Sequence, residues 1–312
     1  MNLKNKRVMV IGGAGFIGSH TVDELIKRKA KVVIVDNLST GRKENINSLA
    51  KFYKLNIAND KIKDIIIKEK PEVMYIFSFF VLVPRSTKDP LLDIDNIVGA
   101  IKILQTAKDI GVKKIIYSSS GFLYGNNPNM PVKETEPIDP VTPYVVSKSA
   151  IENYLRFYKK AYNLPFVILR YSAVYGPRQV TGAMADYIRK LYNNKQADIW
   201  GDGRKTRDYV FIKDIVRANI MALDVANNHE NPVFNLGGGV ETTLNKLYQT
   251  IASLLKKESK PIYHSDRPGE QIRYCLDNEK INKYLGWDVS CPLAKGLKET
   301  VEYWKNTWSK KK

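Results

Sequence analysis

Arg7-Val8-Met9-Val10-Ile11-Gly12-Gly13-Ala14-Gly15-Phe16-Ile17-Gly18 decides the fold. Its apolar half reads as a strand buried on both faces. Its glycine half reads as the tight turn that hands the strand to a helix, because Ser19 to Arg28 continues with apolar residues at three- and four-residue spacing. The glycines satisfy both Gly-x-Gly-x-x-Gly and Gly-x-x-Gly-x-x-Gly, the spacing of a dinucleotide site. Gly12 and Gly15 permit the turn and a close backbone approach to a pyrophosphate, while Gly18 lets the helix pack on the sheet. Uncapped amides and the helix dipole favour the anion. Asp36 closes the next apolar run, where a carboxylate accepts hydrogen bonds from both adenosine ribose hydroxyls and repels a 2′-phosphate. The expected cofactor is therefore NAD rather than NADP, with Arg42 and Lys43 tempering that preference.

Working outward, the same alternation of apolar run and amphipathic stretch continues through the first 170 residues or so. Strands are expected over Arg7 to Ile11, Lys31 to Asp36, Glu72 to Phe77, Lys114 to Ser118 and Phe166 to Tyr171, with helices over Ser19 to Arg28, Pro90 to Ile110 and Thr142 to Tyr162. The fold class is α/β, a Rossmann-type doubly wound parallel sheet. Beyond residue 172 loop signals multiply, as at Gly201-Asp202-Gly203 and Gly237-Gly238-Gly239. A smaller, mixed α/β substrate domain is expected over 173–312, with 213–238 returning to the cofactor domain of 1–172.

Composition excludes several classes. The chain has 312 residues, 44% hydrophobic and 26% charged, with no membrane-length apolar run. The basic, then apolar, start runs straight into the glycine turn without a cleavage site, so it reads as a strand and not a signal peptide. Cys275 and Cys291 lack metal-ligand spacing and the three histidines are scattered, so no metal and a reducing cytoplasm are expected. The net charge of +18 comes from lysines spread along the chain without aromatic interleaving, a solvated surface rather than a nucleic-acid or membrane partner.

Tyr144 and Lys148 stand four apart, on one face of a helix that Thr142 can cap and Pro143 can start. A free tyrosine, near pKa 10, is a poor base at neutral pH. An ammonium and an oxidised nicotinamide beside it favour the phenolate and make it a general base. Ser118-Ser119-Ser120, at the end of a strand, supplies hydroxyls nearby.

Together with these, Asp36-Asn37-Leu38, Asn96-Ile97-Val98-Gly99, Tyr124-Gly125, Leu169-Arg170-Tyr171, Tyr175-Gly176-Pro177-Arg178, Gly201-Asp202-Gly203, Thr206-Arg207-Asp208-Tyr209 and Arg267-Pro268-Gly269-Glu270 appear in order along nearly the whole chain. The sequence resembles the NAD-dependent epimerase/dehydratase family of extended short-chain dehydrogenases, most of all its UDP-glucose 4-epimerases. That resemblance implies a Ser120, Tyr144, Lys148 triad acting on a nucleotide-sugar, with the sugar oxidised at C4 and reduced again on its other face. It implies cofactor contacts at Gly12, Gly15, Phe16, Ile17, Gly18, Asp36, Asn37 and Ser39, then at Asn56, Ile57, Phe77, Asn96, Ser118 and Tyr171, besides Tyr144 and Lys148. Arg178, Arg207 and Arg267 are expected on the substrate diphosphate, Glu270 on its ribose, and Tyr274 as a bulky limit on N-acetylated sugars. A homodimer is implied, built through the two helices around Pro90 to Ile110 and Thr142 to Tyr162.

The pattern is not followed everywhere. Gly121-Phe122-Leu123 lacks the carboxylate that related dehydratases carry between hydroxyl and tyrosine, which favours epimerisation. Ile76, Phe79, Val145 and Ala173 replace the family's usual residues, and Asn56 stands for an aspartate near adenine. These departures leave open an epimerase of another nucleotide-sugar (UDP-glucuronate or a UDP-N-acetylhexosamine), a 4,6-dehydratase, and a non-catalytic dinucleotide-binding protein.

Overall fold

The computed structural model describes residues 1–77, 83–266 and 271–309. Its first half runs β1 (Arg7–Ile11), α1 (Phe16–Lys27), β2 (Lys31–Asp36), β3 (Lys51–Lys54), α2 (Lys61–Glu69), β4 (Val73–Ile76), α3 (Val83–Lys88), α4 (Ile94–Asp109), β5 (Lys114–Ser120), α5 (Pro143–Tyr162) and β6 (Phe166–Tyr171). The second half runs β7 (Ala173–Tyr175), α6 (Ala183–Tyr192), β8 (Asp198–Trp200), β9 (Thr206–Phe211), α7 (Ile212–Met221), β10 (Val233–Leu236), β11 (Glu241–Thr243), α8 (Leu244–Leu255), β12 (Ile262–His264), α9 (Glu279–Leu285) and α10 (Leu293–Ser309).

Seven strands form one sheet in the order β10-β6-β5-β4-β1-β2-β3. Every neighbouring pair in it is parallel. Alternation along β1 explains the layering: Val8 and Val10 join the core beneath α1 and α7, whereas Met9 and Ile11 join the core beneath α2, α4 and α5. All four are fully buried, and burying such a side chain stabilises by roughly 1.5–3 kcal/mol. Because β2 and β4 flank β1 on opposite sides, the winding direction reverses there. The reversal opens a crevice at the carboxyl ends of β1 and β4.

Several boundaries differ from expectation. Helix α1 starts at Phe16, three residues before Ser19, with Gly15 as its N-cap. Strand β5 runs on to Ser120, because Ser119 and Ser120 pair with Arg170 and Tyr171 of β6. Pro90–Asp93 is a separate 3-10 turn ahead of α4, with the Asp89 side chain accepting from the Leu91 amide.

After β6 the chain builds a lobe from a β11-β9-β7 sheet, a β12-β8 pair, and α6, α8 and α10 around a third core. It returns once to the large sheet, where β10 pairs with β6. No helix among the described residues is long and apolar enough to cross a membrane.

Candidate active site

The crevice is a cleft of about 470 Å³, within the range of roughly 300–1,000 Å³ usual for small-molecule sites. Gly12, Gly15, Phe16, Ile17 and Gly18 line it from the β1–α1 turn; Asp36, Asn37 and Ser39 from the end of β2; Asn56 and Ile57 from the loop after β3. Phe77, Asn96 and Ser118 line it too, whereas the expected Tyr144, Lys148 and Tyr171 are not in its wall. The turn has the shape the glycines require: Gly12 adopts φ of 80°, and a Cβ on Gly18 would run into the Gly12 carbonyl. No side chain caps α1, so its first amides face the cleft, as a pyrophosphate needs. The Asp36 carboxylate accepts from the amides of Leu38 (2.8 Å) and Ala14 (3.0 Å). Burial pushes this carboxyl above its ordinary range while the Leu38, Ala14 and Gly15 amides pull it back. A glycine turn, an uncapped helix and a carboxylate at the end of β2 fit a dinucleotide.

Thr40, Arg42, Asn45, Leu91, Leu92, Asp95, Arg178, Val180 and Thr181 also line the cleft. The sequence reading names Arg42, beside the ribose, and Arg178, as a substrate residue, but misses the others as cleft wall, since loops from three separate parts of the chain meet there only in the fold. Tyr171 goes the other way: its buried hydroxyl donates to Asn219 (2.5 Å), which in turn donates to Thr21 beneath α1.

The triad adjoins the cleft through Ser118. Pro143 occupies the first turn of α5 after Thr142, whose side chain makes no cap bond, and α5 then presents Tyr144 and Lys148 to the end of β5. Ser120 stands near enough to the Tyr144 phenol to lower its proton affinity. The Lys148 ammonium donates to the Ser118 carbonyl at 2.5 Å and lies 5.0 Å from the Tyr117 ring centroid and 5.7 Å from that of Tyr144. Burial raises the Tyr144 phenol, Asp93 adds to the rise and Ser120 opposes it. Burial drives Lys148 well below the lysine range, against the pull of Glu152. Starting from similar ordinary values, the two proton affinities move apart, because burial disfavours the phenolate and the ammonium alike. Behind Lys148, the fully buried Glu152 accepts from Ser119 (2.6 Å) and from Arg170 through two nitrogens (3.0 and 2.7 Å).

The expected substrate residues are dispersed. Arg207, on β9, donates to the carbonyls of Thr206 and Gln271. Arg178 is paired with Asp23 of α1 at 2.8 Å. Tyr274 is 1% exposed, packs on Phe122 at 4.9 Å between ring centroids, and has a buried hydroxyl without a hydrogen-bond partner among the described residues. It lies over Gly121, where a Cβ would strike that hydroxyl. Arg267 and Glu270 lie outside the described residues, as does Phe79. Of the other departures, Ile76 and Val145 are buried and Ala173 opens β7. Among the described residues no group of His, Cys, Asp and Glu could hold a metal ion.

Comparison with known proteins agrees with this architecture. The model of the NAD dependent epimerase/dehydratase family matches residues 8–237. A putative UDP-glucose 4-epimerase of Methanocaldococcus jannaschii is 39% identical over 96% of this chain and 98% of its own length. The crystal structure of a Thermotoga maritima UDP-glucose 4-epimerase with UDP-glucose superposes with a TM-score of 0.93 at 37% identity, covering 97% of this chain and 99% of that one. A UDP-N-acetylglucosamine 4-epimerase of Methanobrevibacter ruminantium, in complex with UDP-N-acetylmuramic acid, gives 0.90 at 33% identity over 97% and 99%. The chain belongs to the NAD-dependent epimerase/dehydratase family and is an NAD-dependent enzyme of the UDP-glucose 4-epimerase type.

Proposed function

We propose that the protein is a nucleotide-sugar 4-epimerase that interconverts UDP-glucose and UDP-galactose through a 4-keto intermediate. The observation that carries the proposal is the convergence of Ser120 and Tyr144, with Lys148 on the next turn of α5 anchored on Ser118, which lies in the wall of the cofactor cleft. NAD, when bound, supplies the acceptor for the hydride of sugar C4 and its return. Tyr144, as phenolate, takes the proton of the sugar O4 while Ser120 hydrogen-bonds the same oxygen. Lys148, anchored on the Ser118 carbonyl, supports the phenolate. After the keto sugar turns its other face, Tyr144 gives the proton back, so no external reductant is consumed.

Gly121-Phe122-Leu123, a 3-10 turn directly after Ser120, offers no carboxylate for the second proton transfer of an elimination. This supports epimerisation over 4,6-dehydration. Tyr274 over Gly121 supports plain hexoses over N-acetylated ones. Within this reading 1–172 with 213–238 holds the cofactor, and the rest of 173–312, with Arg207, Arg267, Glu270 and Tyr274, holds the nucleotide-sugar.

The test is incubation of purified protein with UDP-galactose and no reductant. UDP-glucose should form, and Tyr144→Phe should lower turnover by roughly 10²–10⁴-fold. Turnover of only another nucleotide-sugar in a panel moves the substrate; a 4-keto-6-deoxy product moves the reaction; full function of Tyr144→Phe makes the protein a binding module.

The same reading includes a homodimer through α4 and α5, which pack side by side. Ile94 and Val98 of α4 and Val146, Tyr154 and Phe157 of α5 are between 37% and 51% exposed. They recur at helical spacing along two adjacent helices, an apolar face of the kind a second copy covers.

A further inference from the structure

We propose that Arg178 grips the pyrophosphate of the dinucleotide, not that of the nucleotide-sugar, as the centre of a strap (residues 176–182) tied across the cofactor cleft to α1. The strap leaves the lobe after β7 and leads into α6. Two ties on one face of α1 hold it: His20 Nε2 donates to the Pro177 carbonyl at 2.9 Å, and the Arg178 guanidinium pairs with Asp23 at 2.8 Å. Arg178 itself sits at φ of 69°, the left-handed region that a non-glycine residue rarely occupies, between Gly176 and Gly182, both at positive φ. Such a conformation persists when its surroundings over-determine it, and it collects at ligand clamps.

The guanidinium is half used. One terminal nitrogen meets Asp23, while Nη1 is buried with no hydrogen-bond partner among the described residues. A charged donor withdrawn from water without an acceptor is costly, and a phosphate oxygen would complete the fork. The lining of the cleft says which phosphate: Arg178, Val180 and Thr181 face the same space as Gly15, Phe16 and Ile17. Arg207 lies elsewhere, held on β9 by the Thr206 and Gln271 carbonyls. Arg42 lines the same cleft beside Gln179 and Val180 of the strap, its amide bonded to the Ala14 carbonyl at 3.0 Å. The α1 amides and the Arg178 guanidinium thus border one pyrophosphate position, and release of the dinucleotide requires the strap to part from α1. An enzyme that returns the hydride each cycle has no need to release its cofactor. The inference rests on the cofactor cleft alone and holds whichever sugar is turned over.

The test compares wild type, Arg178→Met and Arg178→Lys by NAD retained after exhaustive dialysis and by calorimetric titration with NAD and, separately, with UDP. Arg178→Met should weaken NAD by roughly ten- to hundredfold, the worth of a charge-assisted contact. Arg178→Lys, which keeps the charge and loses the fork, should fall between, and UDP affinity and melting temperature should stay as in wild type. Unchanged NAD affinity in Arg178→Met overturns the proposal, and so does weakened UDP binding in the folded Lys variant. Wild-type protein that takes up no NAD at all removes the cofactor cleft itself, a separate failure from that of the strap.

Discussion

Glu152 shows how much of this site lies one layer behind the reacting groups. It sits one turn past Lys148, has no exposed surface, and receives Ser119, both reachable nitrogens of Arg170, and Arg156 at 3.1 Å. Arg170 continues to the Tyr124 hydroxyl (2.6 Å), which donates to Asn235 (2.8 Å), so the network crosses from α5 through β6 to β10. The pair keeps Glu152 ionised, its carboxyl held below the ordinary range by Arg170 and Ser119 against the cost of burial. Glu152→Gln leaves the buried Arg170 without a counter-charge, and truncating one partner of such a pair costs about 3–5 kcal/mol. Denaturant unfolding should show that loss, and the Glu152→Gln/Arg170→Met double variant should regain much of it. A single variant as stable as wild type would mean that the pair contributes nothing to the fold.

Among the elements, those decided by one strong local signal were legible in advance. Strands β1, β2 and β6 lie at the expected residues because each is a continuous apolar run buried on both faces. Strand β3 escaped because Lys51-Phe52-Tyr53-Lys54 is a half-exposed edge with a lysine at each end, a pattern that reads as loop. That Tyr144 and Lys148 share one helix was legible from their i and i+4 spacing, and the glycine turn from its own. The approach of the 176–182 strap to α1 was not, since no local pattern says which surface a loop will cover. The outer faces of α4 and α5 carry their own prediction. Phe157, 51% exposed on α5, lies within the apolar face assigned to the second subunit. Phe157→Glu should convert a dimer to a monomer in light scattering, with the melting curve of each folded chain little changed at low concentration. Wild type that runs as a monomer, or a variant that remains a dimer, removes α4 and α5 as the interface.

At the scale of the whole molecule, 50 basic residues face 32 acidic ones, so the carboxylates that do pair are set against a repulsive background. Glu72 serves the amino-terminal edge of the sheet, taking Lys6 at 3.0 Å, the Arg7 amide at 3.2 Å and Lys113 at 3.4 Å. Lys6 and the Arg7 amide hold its carboxyl down to about 2, with Lys113 contributing. Because the folded value lies below the unfolded one, the stabilisation is full above the ordinary glutamate range and is lost as pH falls from about 4.5 towards 2. The lysines are exposed, and solvent screening reduces the contribution to about 1 kcal/mol. Asp208 acts in the opposite sense: buried, and pushed up to about 6 despite the amides of Leu276 and Gly238, it stabilises the fold below its unfolded value and loses that contribution as pH rises through 6. Glu72→Gln should therefore be less stable than wild type at pH 7 by about 1 kcal/mol, and the difference should close as both are titrated to pH 2–3. High salt at pH 7 should narrow the same gap, since the partners are solvent-facing. A gap that persists unchanged at pH 2 would show that Glu72 acts through packing and not through its charge.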